Sequence, residues 1–214
     1  EELKRQFQRC RRITRNLGVA VYASRRLEAD DLIATVVHRL RPEGARFTIV
    51  TRDKDLAQLI GPGDRLWDGG DGERLSAAGV KRQYGVPPRC MADYLALVGD
   101  SVDNIPGVPG VGPKAARALL ERYGSLERIY HRLDEVAQLD LRGAKRLQGL
   151  LEQHEAQARL SRDLATLHTG GRIKAGFDDL SWTGPRLTGL RRLINEMGVG
   201  GRLYERCAAL AEDG

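Results

Sequence analysis

The residues best suited to chemistry in this sequence are acidic, and they come in three groups. Glu28, Asp30 and Asp31 stand together in a run of four; Asp53 and Asp55 flank Lys54; Asp100 and Asp103 follow Gly99. Converging carboxylates repel: a like-charged pair at about 4 Å costs about 4 kcal/mol at an effective dielectric of about 20. Magnesium or manganese removes that cost, because both take oxygen ligands and tolerate several waters. Two such ions roughly 3.5–4 Å apart can activate water on one side of a phosphodiester and stabilise the leaving oxygen on the other. Taken singly, each group also has an ordinary purpose. Acids in a first helical turn favour the dipole and cap free amides, and Asp100 and Asp103 suit a turn.

Chemistry for phosphate lies directly beside the third group. Gly107-Val108-Pro109-Gly110-Val111-Gly112 is a glycine-punctuated turn, and Pro113, Lys114 and Arg117 follow it. Gly110 and Gly112 can take positive φ and admit a close backbone, and Pro113 suits the first turn of a helix. The free amides of that helix, with Lys114 and Arg117, would grip consecutive phosphates without reading bases. Carbonyls in such a turn can hold a monovalent cation that bridges to phosphate. An ordinary glycine-rich helical hairpin is the alternative. Arg122, Arg128, Arg132, Arg142, Lys145 and Arg146 either extend a basic face or are solvated surface.

The elements that must position these groups are legible in the apolar spacing. A basic amphipathic helix is expected over residues 1–17, a strand over 19–22, a helix over 27–40, a strand over 47–50, a short helix to 60 and a strand over 65–67. Residues 68–72 read as a hairpin-like loop. Strands and helices alternating at this spacing imply an α/β sheet with a parallel core. Asp53 and Asp55 then fall at the carboxyl edge of the 47–50 strand, and Glu28 and Asp30 shortly after the 19–22 strand, on the edge where such sheets bind ligands. From residue 76 the pattern is helical, over 76–84, 89–98, 114–123, 125–130, 142–167, 187–196 and 203–211, with an irregular connector at 170–184. The expected domains are 1–75 and 76–214, the hairpin lying at about 92–122.

Composition bounds the reading. The chain has 214 residues, 41% hydrophobic and 30% charged, as expected of a globular protein; its net charge of +6 and pI near 9.5 favour a polyanionic partner. Aromatic residues are only 5%, so backbone contacts should outweigh base stacking. Cys10, Cys90 and Cys207 are far apart and give no zinc or disulfide spacing, so a reducing, cytoplasmic setting is the default. No apolar run or signal peptide implies a membrane. The sequence opens without Met, which reads as a fragment or a chain lacking its upstream part.

Four runs carry a resemblance: LEADDLIA (27–34), VTRDKDLAQLI (50–60), DYLALVGDSVDNIPGVPGVGPKAARALLERYGSLE (93–127) and SRDLATLHT (161–169). Together they resemble the bacterial 5′ nuclease family, the 5′–3′ exonuclease domain of DNA polymerase I and free-standing flap endonucleases. The resemblance implies an α/β fold, a PIN-like mixed core with a mostly helical C-terminal part containing a helix–three-turn–helix motif. It implies a monomeric, two-metal Mg2+ or Mn2+ nuclease acting on flap, nicked or 5′-overhang duplex DNA in replication and repair. Glu28 and Asp30 would serve the first ion and Asp100 and Asp103 the second, with Asp53 and Asp55 between and Asp31 outside. Carbonyls of Leu97, Val98, Val108 and Val111 would hold K+, and Gly107, Gly110, Gly112, Lys114 and Arg117 would hold DNA. Asp100 and Asp103, lost in some free-standing relatives, are kept. The family's N-terminal strand, two further metal ligands and basic arch are absent before Glu1 and are expected upstream. The alternatives are a non-catalytic module for duplex or branched DNA, and the nuclease domain of a DNA polymerase I.

Overall fold

The computed structural model describes residues 2–198 and 201–211; Glu1, the expected start of the first helix, lies outside them. In chain order the elements are α1 (Glu2–Asn16), α2 (Ala29–Leu40), β1 (Thr48–Val50), β2 (Arg65–Trp67), α3 (Ala77–Tyr84), α4 (Met91–Val98), α5 (Pro113–Tyr123), α6 (Leu126–His131), α7 (Ala144–Gln153), α8 (Glu155–Ala165), α9 (Phe177–Leu180), α10 (Leu187–Met197) and α11 (Gly201–Ala209). Two compact units divide them, residues 1–32 with 170–214, and residues 33–169.

In the first unit, α1 packs on α10, and α10 on α11 around Leu190, Ile194 and Cys207. Two bonds fix the end of the long connector: the Trp182 side-chain Nε1 donates to the Leu17 carbonyl at 2.7 Å, and the Arg186 amide to the Asn16 carbonyl at 2.7 Å. The strand expected at 19–22 is not formed. Val19 to Tyr22 join no ladder among the described residues, and a strand without a neighbour leaves its backbone groups unpaired.

In the second unit, β1 and β2 run parallel, with Ile49 opposite Leu66. Those central residues are buried while both β1 neighbours of Ile49 are exposed, the alternation of a half-buried sheet. The connection between the strands contains a short 3-10 helix, Asp55–Leu59, which buries Leu56 and Ala57. The loop expected at 68–72 closes a hairpin in which Leu66 and Leu75 exchange both backbone hydrogen bonds.

Asp64, 1% exposed, ties this corner together. Its carboxylate accepts the Phe47 and Gly61 amides, each at 2.9 Å, and Arg41 Nη2 at 2.5 Å. Burial alone would raise its pKa, but these donors outweigh it and hold the group below the usual carboxylate range.

The helical part is built around α4, which buries Met91, Tyr94, Leu95, Ala96 and Leu97 and packs against α5 and α8. A helix apolar on most sides belongs inside. Ser76 and Ser125 cap α3 and α6, accepting the amides of Gly79 and Arg128. The single helix expected over 142–167 is two. The chain breaks at His154 (φ −114°, ψ 23°), where α7 ends and α8 begins. The break turns α8 onto α4, where Arg162 Nε meets Asp93 Oδ1 at 2.8 Å.

Candidate metal centre

β1 ends at Val50, and the chain turns at once through Thr51 to Asp55. Thr51 Oγ1 accepts the Asp53 amide and Asp53 Oδ1 accepts the Asp55 amide, each at 2.9 Å. Asp53 is not the cap of the short helical turn at Asp55–Leu59, whose cap position is Lys54 with no side-chain bond; instead its carboxylate holds the Asp55 amide and so orients Asp55. A second loop leaves α4 at Gly99. Asp100 and Ile105 exchange two backbone hydrogen bonds of 2.8 Å, and Asp100 Oδ1 accepts the Val102 amide at 3.0 Å. Asn104 completes the loop at φ 55°, a left-handed conformation that asparagine tolerates.

The two loops bring Asp55, Asp100 and Asp103 together: one carboxylate oxygen of each lies within 4.8 Å of the others. Lys54 reaches in and bonds Asp100 Oδ2. Burial, and after it the charge of Asp53, pushes the Asp55 carboxyl up to about 6. Asp103 is also raised, by desolvation and then by the charges of Asp100 and Asp53, whereas bonds from Lys54 and Val102 overcome burial and keep Asp100 low. Burial tends to lower the Lys54 ammonium, but its bond to Asp100 and the surrounding carboxylates push it above its ordinary value.

Asp55 Oδ1 is buried with no hydrogen-bond partner. An ionised oxygen in that state is costly, and oxygens of this kind, grouped and partly unsatisfied, fit a hard divalent cation. Of the acids marked in the sequence, Asp55, Asp100 and Asp103 are brought together, and Asp53 is close enough for its charge to act on two of them. Glu28, Asp30 and Asp31 lie at the start of α2, in the other compact unit, where Asp31 Oδ2 accepts the Glu28 amide at 3.3 Å as a helix cap.

The glycine turn follows Asp100 and Asp103 within the second unit. Gly107 (φ 63°) and Gly110 (φ 82°) take the left-handed region. Gly112 does not: it caps α5 in an extended conformation, φ −93° and ψ 175°, because the residue before a helical proline is driven out of the helical region. Pro113 is the first residue of α5, as expected. Gly110, Gly112, Lys114, Arg142 and Arg146 line a cleft of about 620 Å³ at the N-terminus of α5. Arg117 points elsewhere, donating Nε to the Tyr84 carbonyl at 2.9 Å and filling the space beside Gly85. Of the carbonyls expected to hold potassium, Leu97 accepts the Val108 amide at 2.9 Å and Val108 accepts the Val111 amide at 3.0 Å; a carbonyl has two lone pairs, so one remains on each.

Four contributors had no assigned role in the sequence. Lys54 sits between two acids, and only coordinates show that it enters the centre. The Tyr84 phenol, raised by burial and then acted on by Lys54, Asp53 and Asp55, lies beside the same group. Ser161 and Gln157 on α8 brace the turn, Ser161 Oγ accepting the Gly107 amide at 3.1 Å and Gln157 Nε2 donating to its carbonyl at 2.7 Å. The run beginning at Ser161 was a signal, but without a partner.

Two family models cover most of the chain: 5′–3′ exonuclease, N-terminal resolvase-like domain, over residues 1–85, and 5′–3′ exonuclease, C-terminal SAM fold, over residues 86–188. DNA polymerase I of Rhizobium leguminosarum is 38% identical over 97% of this chain and 20% of its own length. Flap endonuclease Xni of Salmonella schwarzengrund is 39% identical over 76% of this chain and 62% of its own. The chain thus spans about a fifth of the polymerase and less than two thirds of Xni. Among solved structures, the bacteriophage T5 flap endonuclease in a pseudo-enzyme–product complex with DNA and metal ions matches with a TM-score of 0.58 and 18% identity, over 89% of this chain and 62% of that one. That likeness shows the fold, a PIN-like α/β core, here mostly helical with few strands.

Proposed function

The chain belongs to the 5′–3′ exonuclease family, and from that premise we propose that it is a structure-specific 5′ nuclease hydrolysing flap, nicked or 5′-overhang duplex DNA. The observation that carries this reading is the buried, partnerless Asp55 oxygen beside Asp100 and Asp103. Asp100 and Asp103, with Asp53 and Asp55, would hold one divalent ion, Mg2+ or Mn2+; Glu28 and Asp30 would serve another, with Asp31 outside its ligand set. Bound there, the ions supply Lewis-acid polarisation of the phosphodiester and of the water that attacks it.

The chain's own residues do the rest. Asp53 orients Asp55 through its amide, and the loop closed by Asp100 and Ile105 fixes Asp100. Lys54 balances charge in the metal-free centre. Backbone amides at the start of α5, with Lys114, would hold DNA by its phosphates along Gly107, Gly110 and Gly112. Arg117 contributes to that grip mainly by fixing α5 against Tyr84. Potassium at Leu97, Val98, Val108 and Val111 would use carbonyl lone pairs that internal hydrogen bonds leave over. The polymerase relative favours a second reading of context, not of chemistry: this nuclease as one region of a DNA polymerase I. Polymerase activity in the full-length protein would show it.

The test is Asp55→Asn in the full-length protein. Cleavage of a 5′-flap duplex should fall by about three orders of magnitude, the scale of several kcal/mol of lost charge stabilisation. Mn2+ binding by calorimetry should weaken in parallel, and duplex binding without divalent ions should stay within about twofold. Undiminished magnesium-dependent cleavage would overturn the reading.

A further inference from the structure

Away from the acidic centre, a pocket of about 340 Å³ opens at the C-terminal end of α5, lined by Arg122, Tyr123, Arg128, His131 and Arg132. Arg122, Arg128 and His131 make no ion pair among the described residues, and Arg132 has only Glu135, at 3.8 Å, with Asp134 beside it in sequence. Tyr123 is 6% exposed and its hydroxyl is buried without a hydrogen-bond partner. The charges acting on that hydroxyl are those of Glu135, Arg122, Arg132 and Asp134, in that order, and Tyr123 lines the pocket together with two of them, Arg122 and Arg132. Cations in the last turns of α5 and α6 favour the helix dipoles, and that accounts for their sign. It does not account for an O–H donor buried with nothing to accept from it.

We propose that this pocket binds a phosphate group, held by the guanidinium forks of Arg122, Arg128 and Arg132, by His131, and by the Tyr123 hydroxyl donating to one oxygen. A tetrahedral oxyanion offers several acceptors, and planar guanidinium groups match it in bidentate fashion. Burial, then Glu135, pushes the Tyr123 phenol up, so it remains a donor. The site is separate from the cleft at Gly112 and Lys114: α5 has 11 residues, which sets its two ends about 16 Å apart. The phosphate could be free in solution or part of a DNA backbone, and the inference does not depend on nuclease activity.

The experiment uses the full-length protein, the variants Tyr123→Phe and Arg128→Gln, and phosphate-free buffer. Sodium phosphate is titrated at constant ionic strength by calorimetry. Saturable binding is expected in the wild type, weakened about tenfold in each variant, the scale of one hydrogen bond to a charged group. Phosphate should raise the melting temperature of the wild type more than that of Tyr123→Phe, while without phosphate the variant should melt no lower. A second arm measures duplex binding against salt. If a DNA backbone supplies the phosphate, Arg128→Gln lowers the slope by about one; if only free phosphate binds, the slope holds while the calorimetric difference persists. Identical phosphate titrations and identical slopes in all three proteins would overturn the site. So would a Tyr123→Phe variant that melts lower without phosphate, since the hydroxyl would then have a partner within the fold.

Discussion

Asp55 and Asp64 stand nine positions apart in one short segment, yet their surroundings have made them opposites. Asp64 is enclosed by donors from Phe47, Gly61 and Arg41, and its carboxyl is held low. Asp55 has a buried oxygen with no donor, keeps the company of Asp53, Asp100 and Asp103, and is pushed up to about 6. A satisfied carboxylate is part of the architecture; an unsatisfied one among its like has the chemistry that a hard cation would fit. The distinction is one of wiring, and residue type says nothing about it.

If this contrast is sound, exchanging acid for amide at the two positions should break different things. Asp64→Asn should lower unfolding stability by about 3 kcal/mol, because Arg41 loses its buried partner, and leave Mn2+ affinity nearly unchanged. Asp55→Asn should do the reverse. Denaturant unfolding and calorimetry on both variants would expose any mixing of the two roles.

Acid should separate them next. Asp64 has a depressed folded pKa, so its contribution is present above the ordinary carboxylate value and is lost as pH falls through the folded value. Asp55 is raised from 3.8 to about 6, so in the metal-free protein its contribution is present below 3.8 and lost as pH rises through about 6. Acidifying the metal-free protein from pH 7 should therefore strengthen it first and weaken it later, and each asparagine variant should lack one limb. Divalent affinity should fall by up to about tenfold per pH unit below the Asp55 value, because the ligand must be ionised; calorimetry across that range checks it.

The smallest effect sharpens the architectural side. Ser161 is a satisfied buried group like Asp64, bonded to the Gly107 amide. Ser161→Ala should cost about 1–2 kcal/mol, the penalty of an orphaned amide, as measured by thermal unfolding.

The same contrast explains what was legible in the sequence. Local signals survived: Pro113 opens α5, Ser76 and Ser125 cap their helices, and Phe47 to Val50 leads into a strand that ends beside Asp53. Whatever depended on a distant partner did not. Val19 to Tyr22 has strand composition and no ladder, and the apolar rhythm runs across His154 although the chain turns there to reach α4. Gly112 can take positive φ by its type, yet the following proline holds it extended. Lys54, Asp64, Gln157 and Ser161 needed partners up to 54 positions away, which no spacing rule displays. The convergence of Asp55 with Asp100 and Asp103 was expected from their number and kind; the role of Lys54 between them was not.

Gly99 and Gly107 bound the acidic loop, and a methyl group built on Gly107 would lie 2.3 Å from the Gly99 nitrogen. The loop is thus drawn shut at a neck where only bare main chain fits. Its interior, by contrast, exposes Ser101 and Val102 to solvent. Natural variation should accordingly be free to redecorate the rim of this ring, altering which strand geometry it greets, while any side chain at the neck would pry the ring apart and scatter the acids it gathers.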